Sequence, residues 1–265
     1  MSLTIFKYLL KRNWKLLFVF LLVLCMYLSI IISLINPDDM KEIQELFGTM
    51  ENFMGAFSID IAAMTSPLNY TASTFFSVLV MAFTMVFYIL QSNSLIAKQV
   101  NDTSLSCTLS APVTRNTLVL TCGGYLIFSM IVLFLGIFIC GSVMLHLYGP
   151  FDIWAYANLV GVTFTLCTSV AMLSYFLSLA FCGEKIGTAL TVGVPIALLF
   201  IQIISGAGEE KTEWLSKFTP FGYLDSVGIV SGEVSTLGSY LVFGGAILLL
   251  LTASVFVFNR KRLSI

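Results

Sequence analysis

Lys98-Gln99-Val100-Asn101-Asp102-Thr103-Ser104-Leu105-Ser106-Cys107-Thr108-Leu109-Ser110-Ala111-Pro112-Val113-Thr114-Arg115 is a polar island between two apolar runs, Thr71 to Leu95 before it and Leu118 to Leu145 after it. A helix needs about twenty apolar residues to cross about 30 Å of hydrocarbon, and both flanking runs meet that length. The island therefore reads as a loop between two membrane spans. So many polar residues in one internal loop of so apolar a chain suggest a use for them.

The rest of the sequence agrees with that class. Of 265 residues, 58% are hydrophobic and 10% are charged, against roughly 25% charged in an ordinary soluble domain. The mean hydropathy is +0.98. Six runs are of spanning length, at about 14–35, 71–95, 118–145, 155–181, 186–205 and 237–258, the fifth broken by Pro195. Lipid cannot satisfy backbone N–H and C=O groups, so all six are expected to be helices. The fold class is an all-α membrane protein, with residues 1–265 forming a single transmembrane domain. The start, Met1 to Arg12 followed by a long apolar run with no small-residue cleavage site, reads as an uncleaved first span.

Charge sets the expected orientation. The two ends of the chain and the loops 95–117 and 182–186 hold Lys7, Lys11, Arg12, Lys15, Lys98, Arg115, Lys185, Arg260, Lys261 and Arg262, ten of the thirteen basic residues. The same side holds only Asp102 and Glu184 of the fourteen acids. That side is expected to be cytoplasmic, with both termini on it, in the plasma membrane. Trp14 and Trp154 fall at opposite span boundaries and Trp214 in an outer segment, as an interfacial aromatic belt predicts, though core packing would also suit any one of them.

Two segments on the other side are longer than turns. Residues 36–70 space Met40, Ile43, Phe47, Met50, Met54 and Phe57 three and four apart, with Asp39, Glu42, Glu45 and Glu51 between them. That is an amphipathic helix, which lies on the outer leaflet, covers the bundle mouth or merely packs on loops. Residues 206–236 are punctuated by Gly206, Gly208 and Pro220, which predict short helical pieces. Phe218, Phe221 and Tyr223 suggest that these pieces dip back toward the membrane, and with Pro220 they are the candidate outer gate.

Several chemistries are missing from the sequence. There is no G-x-x-x-x-G-K-[ST] phosphate loop, no G-x-S-x-G or HExxH motif, and His146 has no companion cluster for a metal. Every Asp, Glu, Lys and Arg falls in a loop or at a span end, whereas ion-driven carriers keep a charge at membrane depth. The six cysteines form no CxxC pattern. The chain is thus expected not to be an enzyme, to bind no cofactor or metal and to engage no nucleic acid. The spans are rich in small and hydroxylated residues. Gly136 and Gly141 in the third run, and Thr163, Thr165, Cys167, Thr168, Ser169, Ser174 and Ser178 in the fourth, allow close helix contact and hydrogen bonding across it. These serve either as packing or as a weakly polar pathway or dimer seam, for which Thr163, Thr165, Thr168, Ser174 and Gln202 are the candidates.

Four features together resemble the ABC-2-type permeases, the membrane subunits of ATP-driven exporters of the type V group. They are the six-span layout; Thr103-Ser104-Leu105 followed by Leu109-Ser110-Ala111-Pro112-Val113-Thr114-Arg115; Trp214-Leu215-Ser216-Lys217-Phe218-Thr219-Pro220-Phe221-Gly222-Tyr223-Leu224-Asp225; and the basic stretch Asn259-Arg260-Lys261-Arg262-Leu263. The chain departs from the family where its glycine is Thr103, where an upstream acid is replaced by Lys98 and Gln99, and where Thr121 and Cys122 stand in place of a lysine.

The resemblance implies that the cytoplasmic loop 96–117 carries a coupling helix for a separate ABC ATPase, which binds the ATP and magnesium. Asp102, Thr103, Leu105, Ser106, Leu109, Pro112 and Arg115 are the residues expected at that contact. Leu105 and Leu109 would share one helix face, Pro112 would end the helix and Arg115 would pair with an acid. A plain connector lying on the membrane is the alternative. The likeness further implies a dimer, with a second copy or a paralogue, and export of an amphipathic or hydrophobic substrate. A peptide of the phenol-soluble modulin or bacteriocin kind fits best, with antibiotic, lipid and sodium still open. A membrane scaffold or receptor that transports nothing is the reading from a different class.

Overall fold

A computed structural model describes residues 2–33, 66–97, 115–149, 151–181, 185–207, 216–232, 234 and 236–260. Every regular element among them is helical. In chain order they are α1 (Leu3–Ser33), α2 (Pro67–Thr74), a π-helical stretch (Phe75–Leu79), α3 (Val80–Ser92), a second π-helical stretch (Asn93–Ala97), α4 (Arg115–Tyr148), α5 (Ile153–Ala180), α6 (Lys185–Ala207), a 3₁₀ turn (Pro220–Tyr223), α7 (Ser226–Ser231) and α8 (Thr236–Arg260). Six continuous stretches are long and apolar enough to cross a membrane: α1, the rod from Pro67 to Leu95, α4, α5, α6 and α8.

The helices overrun the apolar runs that seed them. α1 starts at Leu3, so Lys7, Lys11, Arg12 and Lys15 lie on its first turns rather than in a loop before it. The second span begins at Pro67, capped by Ser66, whose hydroxyl accepts from the Asn69 N–H at 3.2 Å. Between α4 and α5 the chain reverses at Gly149, whose φ of +148° suits a residue without a side chain. Asp152 then caps α5 by accepting from the Trp154 N–H at 2.9 Å. The expected break at Pro195 does not occur: Pro195 lies inside a continuous α6. A proline removes one backbone donor, but hydrocarbon offers the freed groups nothing better than the helix, so the helix persists.

α5 is the axis of the bundle. It packs against α3, α4, α6, α7 and α8, most extensively against α8. Its apolar residues surround it on all sides, the pattern of a helix buried on every face. α1 lies along α4, and small residues set their spacing. A side chain at Gly136 would meet Leu21 Cδ1 of α1 at 2.7 Å, and at the neighbouring contact of α4 with α5 one at Gly141 would collide with the Tyr156 hydroxyl. That hydroxyl instead donates to the Ile137 carbonyl at 3.1 Å. Close approach at glycine followed by a hydrogen bond across the contact is how membrane helices associate without a hydrophobic drive.

α6 and α8 are the least buried spans. Leu237, Leu241, Val242, Leu248, Leu249 and Phe256 of α8 all face outward. Trp14 and Trp154 are likewise exposed. The amphipathic stretch from Met40 to Phe57 and Trp214 lie outside the described residues.

Candidate functional site

The bundle has two ends. The Arg12 end gathers the starts of α1 and α4 with the close of the second span; the opposite end carries Pro220, α7 and the starts of α5 and α8. Each holds candidate site residues.

At the Arg12 end, Asp102, Thr103, Leu105, Ser106, Leu109 and Pro112 lie outside the described residues. Arg115 is the first residue of α4. The described residues do include the helical frame on either side of the loop. The second span finishes in the π-helical stretch Asn93–Ala97. Its Ser94 is held by Arg12, whose Nη2 donates to the Ser94 carbonyl at 2.7 Å and lies 2.8 Å from the Ser94 hydroxyl. A cation at the C-terminal end of a helix meets unpaired carbonyls and the negative end of the helix dipole, so this contact is favoured twice. The Ser2 N–H donates to Thr121 Oγ1 at 3.0 Å, which ties the start of α1 to the first turns of α4. The first turns of α1 thus hold the chain on both sides of residues 98–114.

At the Pro220 end, the candidate gate forms a small cradle. Thr219 is fully buried and its hydroxyl donates to Gln202 Oε1 at 2.9 Å. The same oxygen accepts from the Gly222 N–H at 3.2 Å and so caps the 3₁₀ turn. Gln202 lies five residues before the last residue of α6, Ala207, which is about 8 Å along the helix. The segment therefore returns alongside α6 and bonds to it before that helix ends. Buried irregular backbone must be satisfied inside the protein. Here Asp225 accepts from the Gly228 N–H at 2.8 Å, and Gly232, with φ of +79°, closes α7 in the left-handed conformation glycine permits.

The four gate candidates do not act alike. Phe221 is buried, Pro220 half-buried, and Phe218 and Tyr223 are exposed. The Tyr223 hydroxyl donates to the Lys217 carbonyl at 3.3 Å. Pro220 and Tyr223 line a cavity of about 580 Å³ together with Ser169 of α5 and Gly238, Ser239 and Val242 of α8. That volume and its largely apolar wall suit an apolar side chain or a short amphipathic segment.

The pathway candidates lie elsewhere. Thr163, Thr168 and Ser174 are fully buried inside the chain, and Thr165 is half-buried. Thr163 donates to the Leu159 carbonyl at 2.8 Å, Thr165 to Val162 at 2.9 Å and Ser174 to Val170 at 3.3 Å, all within α5. The three buried residues are internal to one chain rather than on an outer face that a second copy could meet. Gln202 is set apart from them by its bond to Thr219.

Sequence reasoning missed the Arg12–Ser94 clamp and the role of Asp225 as a cap. Arg12 was visible only as one of a basic cluster, and nothing in the spacing links it to a residue 82 positions away. Among the described residues no group of three His, Cys, Asp or Glu side chains is placed to hold a metal. The chain matches no model of a known protein family and no curated protein, so its likeness to the ABC-2-type permeases rests on the stretches quoted above.

Proposed function

We propose that this protein is the permease subunit of an ATP-driven exporter of the ABC-2 type. In this reading it lies in the plasma membrane with both termini in the cytoplasm. It pairs with a second copy or a paralogue, and it moves an amphipathic or hydrophobic substrate outward. A peptide is the substrate that a charge-free, aromatic-rich interior accommodates best. The observation that carries the reading is the run from Leu109 to Arg115, Leu-Ser-Ala-Pro-Val-Thr-Arg, set between the second and third spans of a six-span helical chain. A sequence with no phosphate-binding loop must take its energy from another chain. A loop whose two ends are both held by α1 is well placed to pass on a push from that chain. ATP and magnesium belong to the partner ATPase.

In this mechanism Leu105 and Leu109 seat in the ATPase, and ATP-driven closure of two ATPases rocks the spans through residues 98–115. Substrate leaves past Phe218, Pro220, Phe221 and Tyr223. The test is co-purification. Leu105→Asp with Leu109→Asp is expected to abolish recovery of the ATPase while the permease still inserts. Retained binding would reduce the loop to a connector. ATP hydrolysis by the reconstituted pair is expected to rise with an amphipathic peptide; a pair that hydrolyses ATP yet moves no substrate returns the scaffold reading.

A further inference from the structure

The first turns of α1 carry Lys7, Lys11 and Lys15, spaced four apart, and all three are exposed. At about 3.6 residues per turn this spacing keeps them in one row along the helix. The row runs on into apolar side chains. Trp14, Phe18 and Leu22 are 51%, 54% and 50% exposed. With the lysines they fall within an arc of about 100° of the helix surface. Two contacts fix that rotation. Leu9, nearly opposite Lys7 on the helix, is buried, and Arg12 is taken by Ser94 of the second span.

One exposed face of α1 is therefore cationic over its first turns and apolar beyond them, with Trp14 at the change. α1 contains no acid, and the only acids among the described residues, Asp152 and Asp225, lie at the Pro220 end. The row thus meets no opposite charge among the described residues. A zwitterionic headgroup balances its own phosphate, so a cationic row beside a span selects lipids whose headgroup is anionic. Lysine stems are long enough to bend toward headgroups from either side of them. That brings the whole row, about 12 Å of helix, into reach. An acidic protein would match the lysines alone. A phospholipid with an anionic head matches the lysines, and its acyl chain matches Phe18 and Leu22 on the same face.

We propose that Lys7, Lys11 and Lys15 form a binding site for the headgroup of an anionic phospholipid, whose acyl chain lies along Phe18 and Leu22. Trp14 stands between the two parts, at the level where amphipathic indoles settle in a bilayer. The site does not depend on the chain being an exporter; it needs only that α1 spans a membrane.

Quenching of Trp14 by brominated lipids tests it. The full chain with Trp154→Phe and Trp214→Phe, so that Trp14 alone reports, is reconstituted in phosphatidylcholine vesicles. An equal minor fraction of either brominated phosphatidylglycerol or brominated phosphatidylcholine is included. The phosphatidylglycerol is expected to quench several-fold more effectively. Lys7→Gln with Lys11→Gln and Lys15→Gln is expected to bring the two lipids to equality, and arginine at the same three positions to keep the preference. With Trp14→Phe and Trp214→Phe, the remaining Trp154 at the Pro220 end is expected to show none. Equal quenching of Trp14 with the lysines intact would overturn the proposal; if the glutamine variant then also lost a co-purifying protein, the row would belong to that partner. An undiminished preference in the glutamine variant would overturn it too. So would an equal preference at Trp154, since anionic lipid would then gather around the whole chain. Inorganic phosphate that abolished the preference, where sodium chloride of the same ionic strength did not, would make the ligand free phosphate instead. The comparison of the two lipids is made on one chain and stands even where the glutamine variant does not fold.

Discussion

The two ends of this bundle hold their irregular segments by different means. At the Pro220 end, Thr219 bonds to Gln202 and Gly222, Asp225 caps α7, and Tyr156 bonds to Ile137 across helices. At the Arg12 end, the Arg12 side chain donates to the Ser94 carbonyl and the Ser2 N–H to Thr121 Oγ1. A satisfied network fixes one arrangement, because any displacement loses a bond. A contact made by one long, exposed side chain holds less firmly. The difference teaches that the Pro220 end is built to hold its shape around the 580 Å³ cavity. The Arg12 end, beside residues 98–114, is held through the exposed Arg12 side chain.

Gly222→Ala tests the rigid half hardest. A side chain there would run into the Ser216 carbonyl, which is backbone and cannot swing aside. Overpacking of this kind costs about 3 kcal/mol. The melting temperature of the purified protein, followed by tryptophan fluorescence, is expected to fall by more than for any other change proposed here. An unchanged melt would mean that the 3₁₀ turn does not couple to the fold. The comparison between the ends would then lose its fixed member.

Thr219→Val is the next largest. It keeps the volume but leaves Gln202 Oε1 and the Gly222 N–H without their partner. Losing a buried bond on both sides costs about 1–3 kcal/mol. Gln202→Leu alone is expected to do less harm, since the Thr219 hydroxyl retains the Ser216 carbonyl as an acceptor at 3.2 Å. If Gln202→Leu proved as damaging as Thr219→Val, the bond between them, rather than the cap, would be what holds the turn.

These contacts also show what can be read from sequence. The spans are legible because hydrocarbon leaves an apolar run of twenty residues only one structure, so Leu118–Leu145 and Ala155–Phe181 announce α4 and α5 directly. Pro195 misleads because its usual effect assumes water ready to take up the freed carbonyl, and a membrane has none. The breaks in residues 216–232 were legible from Pro220 and the glycines. The segment's anchor was not: Gln202 and Thr219 attract notice separately, and their pairing depends on how the chain returns after α6. The hydroxyls of α5 show the same limit. Thr163 and Ser174 read equally well as pathway or packing, because composition gives the polarity of a helix and only its neighbours decide which face is inside.

Arg12→Gln gives the smallest effect and the finest test of the other half. A cation near a helix C-terminus contributes about 1 kcal/mol or less when exposed, so the melting temperature is expected to move little. The change should instead be local. Without the clamp, the π-helical stretch Asn93–Ala97 loses the group that holds the Ser94 carbonyl and hydroxyl. Its backbone amides are expected to exchange with deuterium faster, while those of Gly222 and Gly228 keep their rate. A melt depressed as far as that of Thr219→Val would show that the Arg12 end is as tightly determined as the other, and the contrast would fail. Faster exchange confined to residues 93–97 would sharpen it, because α1 would then be acting on the segment that leads into residues 98–114 while leaving the far end of the bundle undisturbed.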